Sequence, residues 1–260
     1  MAGGLAGRHA VVTGGGSGIG SAIAVALARE GARVSLMGRN FDKLEAMVQH
    51  LTRSGAEAQG IGLDVTEAEA VPPAFTSATG RFGAVEILVN NAGAAESAPF
   101  AKTTLALLER MIAVNLTGAF SCTQAVLAGM ERAKWGRIIN IASTAGVTGY
   151  PYVSAYCAAK HALVGLTRAL ALETARRGVT VNAVCPGFTE TELIERAIMT
   201  ITAKTGRSAQ EARAELAATN PLRRLIRPEE VAASVAFLSH PDQAAITGQA
   251  IIIAGGEVMA

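Results

Sequence analysis

Thr13-Gly-Gly-Gly-Ser-Gly-Ile-Gly20 follows the apolar run His9–Thr13 and opens a stretch in which Ile19, Ile23 and Leu27 recur every four residues. That recurrence is one stripe of an amphipathic helix, so the glycines occupy a strand-to-helix turn. Gly14, Gly18 and Gly20 leave room for a tight turn and for a pyrophosphate to approach bare backbone, with Ser17 and Ile19 set among them. The helix N-terminus behind them offers unpaired N–H groups and a positive dipole end to such an anion. Three nearby glycines can also simply make a turn. Their place between the first strand and the first helix of an alternating chain points to a dinucleotide. No Lys-Ser/Thr follows, which excludes a nucleoside-triphosphate loop, and no Gly-x-Ser-x-Gly occurs, which excludes an esterase elbow.

Outward from this loop, short apolar or β-branched runs alternate with helical patterns. The expected strands are His9–Thr13, Arg33–Met37, Ala58–Leu63, Ile87–Asn90, Arg137–Ala142, Thr180–Cys185 and Ala250–Ile253. Near-continuous apolar strands separated by helices predict a parallel sheet covered on both faces. No linker or internal repeat divides residues 1–260, so a single domain is expected. Residues 190–220 depart from the rhythm. They are helical in composition at Glu192–Met199 and Ala209–Ala218, and read as a substrate lid or as a surface decoration.

Half of the 260 residues are hydrophobic and 17% are charged, so a sizeable core is expected. The net charge of +2 and the lack of a basic block argue against a nucleic-acid partner. Apolar runs such as Ala22–Ala28 are too short for a membrane span. The stretch Met1-Ala-Gly-Gly-Leu-Ala-Gly-Arg8 carries no hydrophobic signal region. Cys122, Cys157 and Cys185 have no paired spacing and read as free thiols in a reducing cytoplasm. His9, His50, His161 and His240 are scattered, and no metal site is expected.

Tyr156 and Lys160 lie four apart in Ser154-Ala-Tyr-Cys-Ala-Ala-Lys-His161, a helix-forming stretch that sets both heads on one face. A free tyrosine titrates near ~10. A neighbouring ammonium, together with a cationic nicotinamide, is expected to favour its phenolate and make proton transfer feasible. Ser143 ends a strand at the carboxyl edge where open α/β sheets place ligands, and its hydroxyl can hold a substrate oxygen. Asn115 interrupts the apolar face Leu108, Ile112, Ala119, Cys122, and a buried amide must have its hydrogen bonds met. Singly, each of the four could be structural. Together, behind a dinucleotide loop, they point to chemistry.

Cofactor choice rests on Gly38-Arg39. An NAD-selective fold ends its second strand with an acid that accepts hydrogen bonds from the ribose hydroxyls. Here that position is Gly38, and Arg39 follows with a guanidinium suited to a 2′-phosphate. NADP(H) is therefore expected, with NAD(H) still usable. The plainer alternative is an exposed loop arginine beside a turn glycine.

Over essentially its whole length the chain resembles the short-chain dehydrogenase/reductase family, in its common branch of about 250 residues. The resemblance is carried by Thr13-Gly14…Gly18-x-Gly20, Asp64-Val65, Asn90-Asn91-Ala92-Gly93, Asn115, Ser143, Tyr156-x-x-x-Lys160 and Pro186-Gly187. It implies a single-domain, doubly wound Rossmann fold with a seven-stranded parallel sheet flanked by helices, and a homotetramer. It implies a carbonyl or secondary-alcohol oxidoreductase with Tyr156 as proton donor and acceptor. Asp64 and Val65 would serve the adenine edge. Asn91, Gly93 and the Pro186-Gly187 segment through Thr189 and Thr191 would serve the ribose and nicotinamide ends. Lys160 would also hold the nicotinamide ribose, and Asn115 a relay water. Thr189 stands where relatives often have Val or Ile.

The substrates implied are 3-oxoacyl or 3-hydroxyacyl thioesters, with small ketones and cyclic or aromatic secondary alcohols as the alternative. A non-catalytic dinucleotide sensor is the rival from another class. The pocket is expected from Ala94–Ser97, Ala145–Val153 and the lid, with Glu96 and Tyr150-Pro151-Tyr152 shaping selectivity. Helices around residues 105–133 and 154–177 are more apolar than one covered face requires and are expected to pair between subunits.

Overall fold

A computed structural model describes residues 4–259; Met1 to Gly3, within the stretch read for a signal region, lie outside the described residues. Seven strands form one parallel sheet: β1 His9–Thr13, β2 Arg33–Gly38, β3 Ala58–Gly62, β4 Ile87–Asn90, β5 Gly136–Ile141, β6 Val179–Pro186 and β7 Ala250–Ile253. Each agrees with its sequence pattern to within a residue at either end. The spatial order is β3-β2-β1-β4-β5-β6-β7, and every neighbouring pair is parallel.

Alternation along each strand sorts the core into two layers. Ala10 and Val12 of β1, Val34 and Leu36 of β2, and Ile87 and Val89 of β4 face one side. They pack there on α1 (Gly18–Arg29), α2 (Phe41–Arg53) and α9 (Pro228–Ser239), with Ile23, Leu27, Leu44, Val235 and Leu238 buried between. Val11, Met37, Leu88 and Ile138 face the other side, under α3 (Val71–Phe82) and α5 (Gly118–Ala133). Cutting Ile23 or Leu27 back to alanine would cost about 2–5 kcal/mol.

The helix before the catalytic strand differs from expectation. Residues 105–133 form α4 (Leu105–Ile112), a five-residue π turn at Ala113–Thr117, and then α5. The buried stripe is consequently Leu107, Met111, Asn115, Ala119 and Cys122, with Leu108 and Ile112 only half-buried. By length and composition this helix could cross a membrane. It lies instead on the sheet, with Cys122, Val126 and Met130 in the core.

Beyond α6 (Ser154–Thr174), residues 190–220 carry α7 (Glu192–Thr205) and α8 (Ala209–Ala217). These two helices share a separate small core of Ile194, Ile198, Ala212, Ala217 and Leu225.

The strand order places the chemistry. The chain runs outward from β1 to β3, then returns to β4 on the other flank of β1. That switch point is the crevice in which open α/β sheets bind ligands. The glycine loop, Arg39, Asp64, Asn91, Ser143 and Gly187 all follow the carboxyl ends of successive strands.

Candidate active site

The glycine loop is held from below. Asn91 Nδ2 donates to the carbonyls of Thr13 (2.9 Å) and Gly14 (3.2 Å), and Thr13 Oγ1 accepts from the Asn91 and Ala92 amides, both at 3.0 Å. The side-chain amide protons of Asn91 thus support the loop. Gly20 is required by this approach, because a Cβ there would sit 2.2 Å from the Gly14 carbonyl oxygen. Gly18 has φ +56°, and a Cβ on it would meet Thr191 at 3.2 Å.

The start of α1 fits the phosphates of a dinucleotide. Ser17, its N-cap, makes no side-chain capping bond, and no acidic residue stands in its first turn. By contrast Asn40, Thr104 and Ser208 each cap their own helices. Open N–H groups and an uncompensated dipole are what an anionic ligand needs.

Past the end of β3, Asp64 Oδ1 accepts from Thr66 N (3.0 Å) and Thr66 Oγ1 (2.7 Å). Burial alone would raise the Asp64 carboxyl, but the two Thr66 bonds and nearby Arg39 outweigh it, so it lies below its ordinary value. Arg39 is exposed and stands 3.8 Å from Asp64. Gly38 has neither a left-handed backbone nor a crowded side-chain position; a Cβ there would have Leu44 at 3.6 Å as its nearest neighbour.

The Ser–Tyr–Lys set converges at the end of β5. Lys160 is buried, and its Nζ donates to the carbonyl of Ile141, the last residue of β5, at 2.8 Å. The same Nζ lies 5.7 Å from the centre of the Tyr156 ring. Ser143, two residues past Ile141, accepts from the Ala145 amide at 3.1 Å.

Burial pushes the Tyr156 phenol up to about 12, and the Ser143 hydroxyl draws it down. Burial also lowers the Lys160 ammonium to about 8. Desolvation dominates both groups. Cys185, at the end of β6, is pushed up to about 11 by burial and is therefore an inert thiol at neutral pH.

Asn115 is buried, and both of its amide protons are used. Its Nδ2 donates to the carbonyls of Ala94 (2.9 Å) and Met111 (3.0 Å), and its Oδ1 accepts from Ala94 N (3.3 Å). Gly93 lets these parts meet: a Cβ there would lie 2.8 Å from Asn115 Oδ1 and 3.6 Å from Lys160 Nζ.

The expected specificity residues divide. Tyr150 turns inward and reaches Thr144 and Glu257, whereas Tyr152 is exposed and Glu96 pairs with Arg110 at the surface. Val65 is buried behind Asp64, and Thr189 is tied back to the Gly187 carbonyl (2.9 Å). Sequence reasoning missed Glu257 and the ion pair between Lys43 and Glu192. Neither belongs to a motif, and the partners lie more than a hundred residues apart. Among the described residues no group of His, Cys, Asp or Glu could hold a metal ion.

Known proteins are similar to this chain. Residues 8–200 match the model of the family described as short chain dehydrogenase. The 2-(S)-hydroxypropyl-CoM dehydrogenase 3 of Xanthobacter autotrophicus is 42% identical over 94% of each chain. A 3-oxoacyl-[acyl-carrier-protein] reductase of Vibrio cholerae is 38% identical over 98% of this chain and 99% of its own. A tryptophan variant of the actinorhodin polyketide ketoreductase, crystallised with NADPH, superposes with a TM-score of 0.94 at 39% identity over 99% of each chain. The crevice at the switch point, lined by an uncapped helix and a converging Ser–Tyr–Lys set, is thus that of a nicotinamide-dependent oxidoreductase acting on a carbonyl or secondary alcohol, and the chain belongs to the short-chain dehydrogenase/reductase family.

Proposed function

We propose that the protein is an NADP(H)-preferring ketoreductase of 3-oxoacyl thioesters, with Tyr156 as its proton donor. The observation that carries the reading is the convergence of Ser143, Tyr156 and Lys160 at the carboxyl end of β5. A bound nicotinamide supplies or takes up the hydride. Ser143 holds the substrate oxygen, and the Tyr156 phenol gives that oxygen its proton. Lys160, anchored on Ile141, would meet the nicotinamide ribose, and Asn115, which holds the 91–94 loop, would keep an oxygen lone pair for a relay water. Gly14, Ser17, Gly18, Ile19 and Gly20 would receive the pyrophosphate, with Thr191 against Gly18 and Thr189 as a further contact. Residues 190–220 cover the substrate within a single-domain chain.

NADP(H) selectivity is supported at Gly38. Neither φ nor packing demands glycine there, so its contribution is the missing acid, beside an exposed Arg39. Two of the three free cysteines are buried, in keeping with a reducing cytoplasm.

A second reading, oxidation of a small secondary alcohol, is favoured by the 42% identity to a hydroxypropyl-CoM dehydrogenase. One panel separates the two. Catalytic efficiency is measured for 3-oxoacyl thioesters, small ketones and secondary alcohols, each with both nicotinamides. The proposal requires the thioester with NADPH to lead; a lead for a small alcohol with NAD sinks it.

A further inference from the structure

Tyr150 stands in the loop that follows Ser143, and its hydroxyl lies 2.9 Å from Thr144 Oγ1 and 2.6 Å from Glu257 Oε1. Burial and the Glu257 carboxylate push the phenol well above its ordinary value, so the proton stays on Tyr150 and is donated to the carboxylate. A phenol has one proton, so the Thr144 hydroxyl must donate to the Tyr150 oxygen. A directed chain therefore runs from Thr144, adjacent to Ser143, through Tyr150 to Glu257 near the carboxyl terminus.

Glu257 is placed with care and at a cost. Gly255 (φ +62°) and Gly256 (φ +88°) turn the tail back against Pro221 and Leu222. The second carboxylate oxygen, Oε2, is buried without a hydrogen-bond partner and would lie 2.9 Å from a Cβ on Gly187. A buried, unpartnered carboxylate oxygen is destabilising. Tyr150 also meets Phe188 edge-on, with centroids 6.0 Å apart. On its far side the Thr144–Gly146 turn rests on α6, where a Cβ on Gly146 would be 2.8 Å from the Lys160 carbonyl oxygen. The turn carrying Ser143 is gripped between the backbone of Lys160 and the tail carboxylate.

We propose that Glu257 is a positioning residue for the reaction, fixing the Ser143–Gly146 turn through Tyr150 and Thr144. The inference rests on the reading that Ser143 holds the substrate oxygen.

The test uses Glu257→Ala, Glu257→Gln, Tyr150→Phe and the Glu257→Ala/Tyr150→Phe double variant, with Ser143→Ala as control. Steady-state kcat and KM, the NADPH dissociation constant from fluorescence titration, and thermal melting are measured for each. Glu257→Ala and Tyr150→Phe should each lower kcat at least about fivefold, with NADPH affinity within about twofold of the parent. The double variant should be no worse than the poorer single variant, because both cut one chain. Glu257→Gln keeps an acceptor for Tyr150 and should recover most of kcat. A smaller loss in Glu257→Ala, multiplicative losses in the double variant, or a glutamine variant as poor as alanine overturns the proposal. Should Glu257→Ala fail to fold, Tyr150→Phe and Glu257→Gln decide by the same kcat criteria. A Ser143→Ala enzyme with full activity would instead refute the role given to Ser143.

Discussion

Lys43, near the start of α2, is ion-paired with Glu192, the first residue of α7, although 149 positions separate them in the chain. Lys43 Cβ lies 3.2 Å from where a Cβ on Gly16 would stand, and Thr191 packs over Gly18. The pair therefore spans the glycine loop.

Removing the acid from that bridge would leave Lys43 as an uncompensated cation beside the glycine loop. Glu192→Gln should tighten NADPH binding by about 2–5-fold in low salt, with the gain fading near 0.5 M salt. Lys43→Ala should weaken it, and neither change should move the melting temperature, since both side chains are exposed. Equal NADPH affinity in the parent and Glu192→Gln at low salt would disprove this role for the bridge.

Tyr156→Phe removes one hydroxyl and leaves the ring among Leu107, Met111 and Ala159. Turnover should fall by about 10²–10⁴-fold while NADPH titrates as before. Activity within about tenfold of the parent would assign the proton to another group.

Arg39→Ala tests the cofactor reading. The ratio of catalytic efficiencies, NADPH over NADH, should drop by about tenfold or more, because a paired contact to the 2′-phosphate is lost. An unchanged ratio would leave Arg39 as a surface arginine.

Lys160 makes stability and function oppose each other. Its ammonium titrates at about 8 in the fold against 10.5 for a free lysine. The unfolded chain binds the extra proton between those values, so this residue's penalty is full below about 8 and vanishes as pH rises through 10.5. Lys160→Met removes it, for a gain of up to about 3 kcal/mol at pH 7, less the lost bond to Ile141. Urea unfolding at pH 7 and 10 should show the advantage of the inactive variant shrinking at the higher pH. A difference independent of pH would mean that the buried charge is not felt.

Assembly is the remaining expectation. Leu172 on α6 is 83% exposed and Leu105 on α4 75%, with Phe120 of α5 nearby in sequence and also exposed. Light scattering at micromolar concentration should report a tetramer, and Leu172→Glu with Phe120→Glu should reduce its mass. A monomeric parent would refute the pairing of these helices.

How much of this the chain announces depends on the range of each interaction. Strands buried on both faces read as unbroken apolar runs, so Val11–Val12 or Ile138–Ile139 announce themselves locally. Tyr156 and Lys160 are legible because a helix turns four residues into one face. The burial that raises the phenol is not legible, because the surrounding fold supplies it. Nor is the use of Asn91, whose amide finds carbonyls 77 and 78 positions away. Glu257 meets Tyr150 only because two glycines fold the tail back over the sheet's edge.

Ala113-Val-Asn-Leu-Thr117 reads as ordinary helix yet forms a π turn, in which the Gly118 amide reaches back five residues to Ala113. Such a turn holds one residue more than the α-helix around it, a phase offset of about 100° between α4 and α5. Deleting one residue here would let the helix heal into regular α geometry and would rotate Asn115 relative to α4 and Met111. Length, and not composition, is therefore the vulnerable quantity in this segment. A shortened chain could still fold and fill its core while losing the alignment of its proton path, an editing error that hydropathy would not detect.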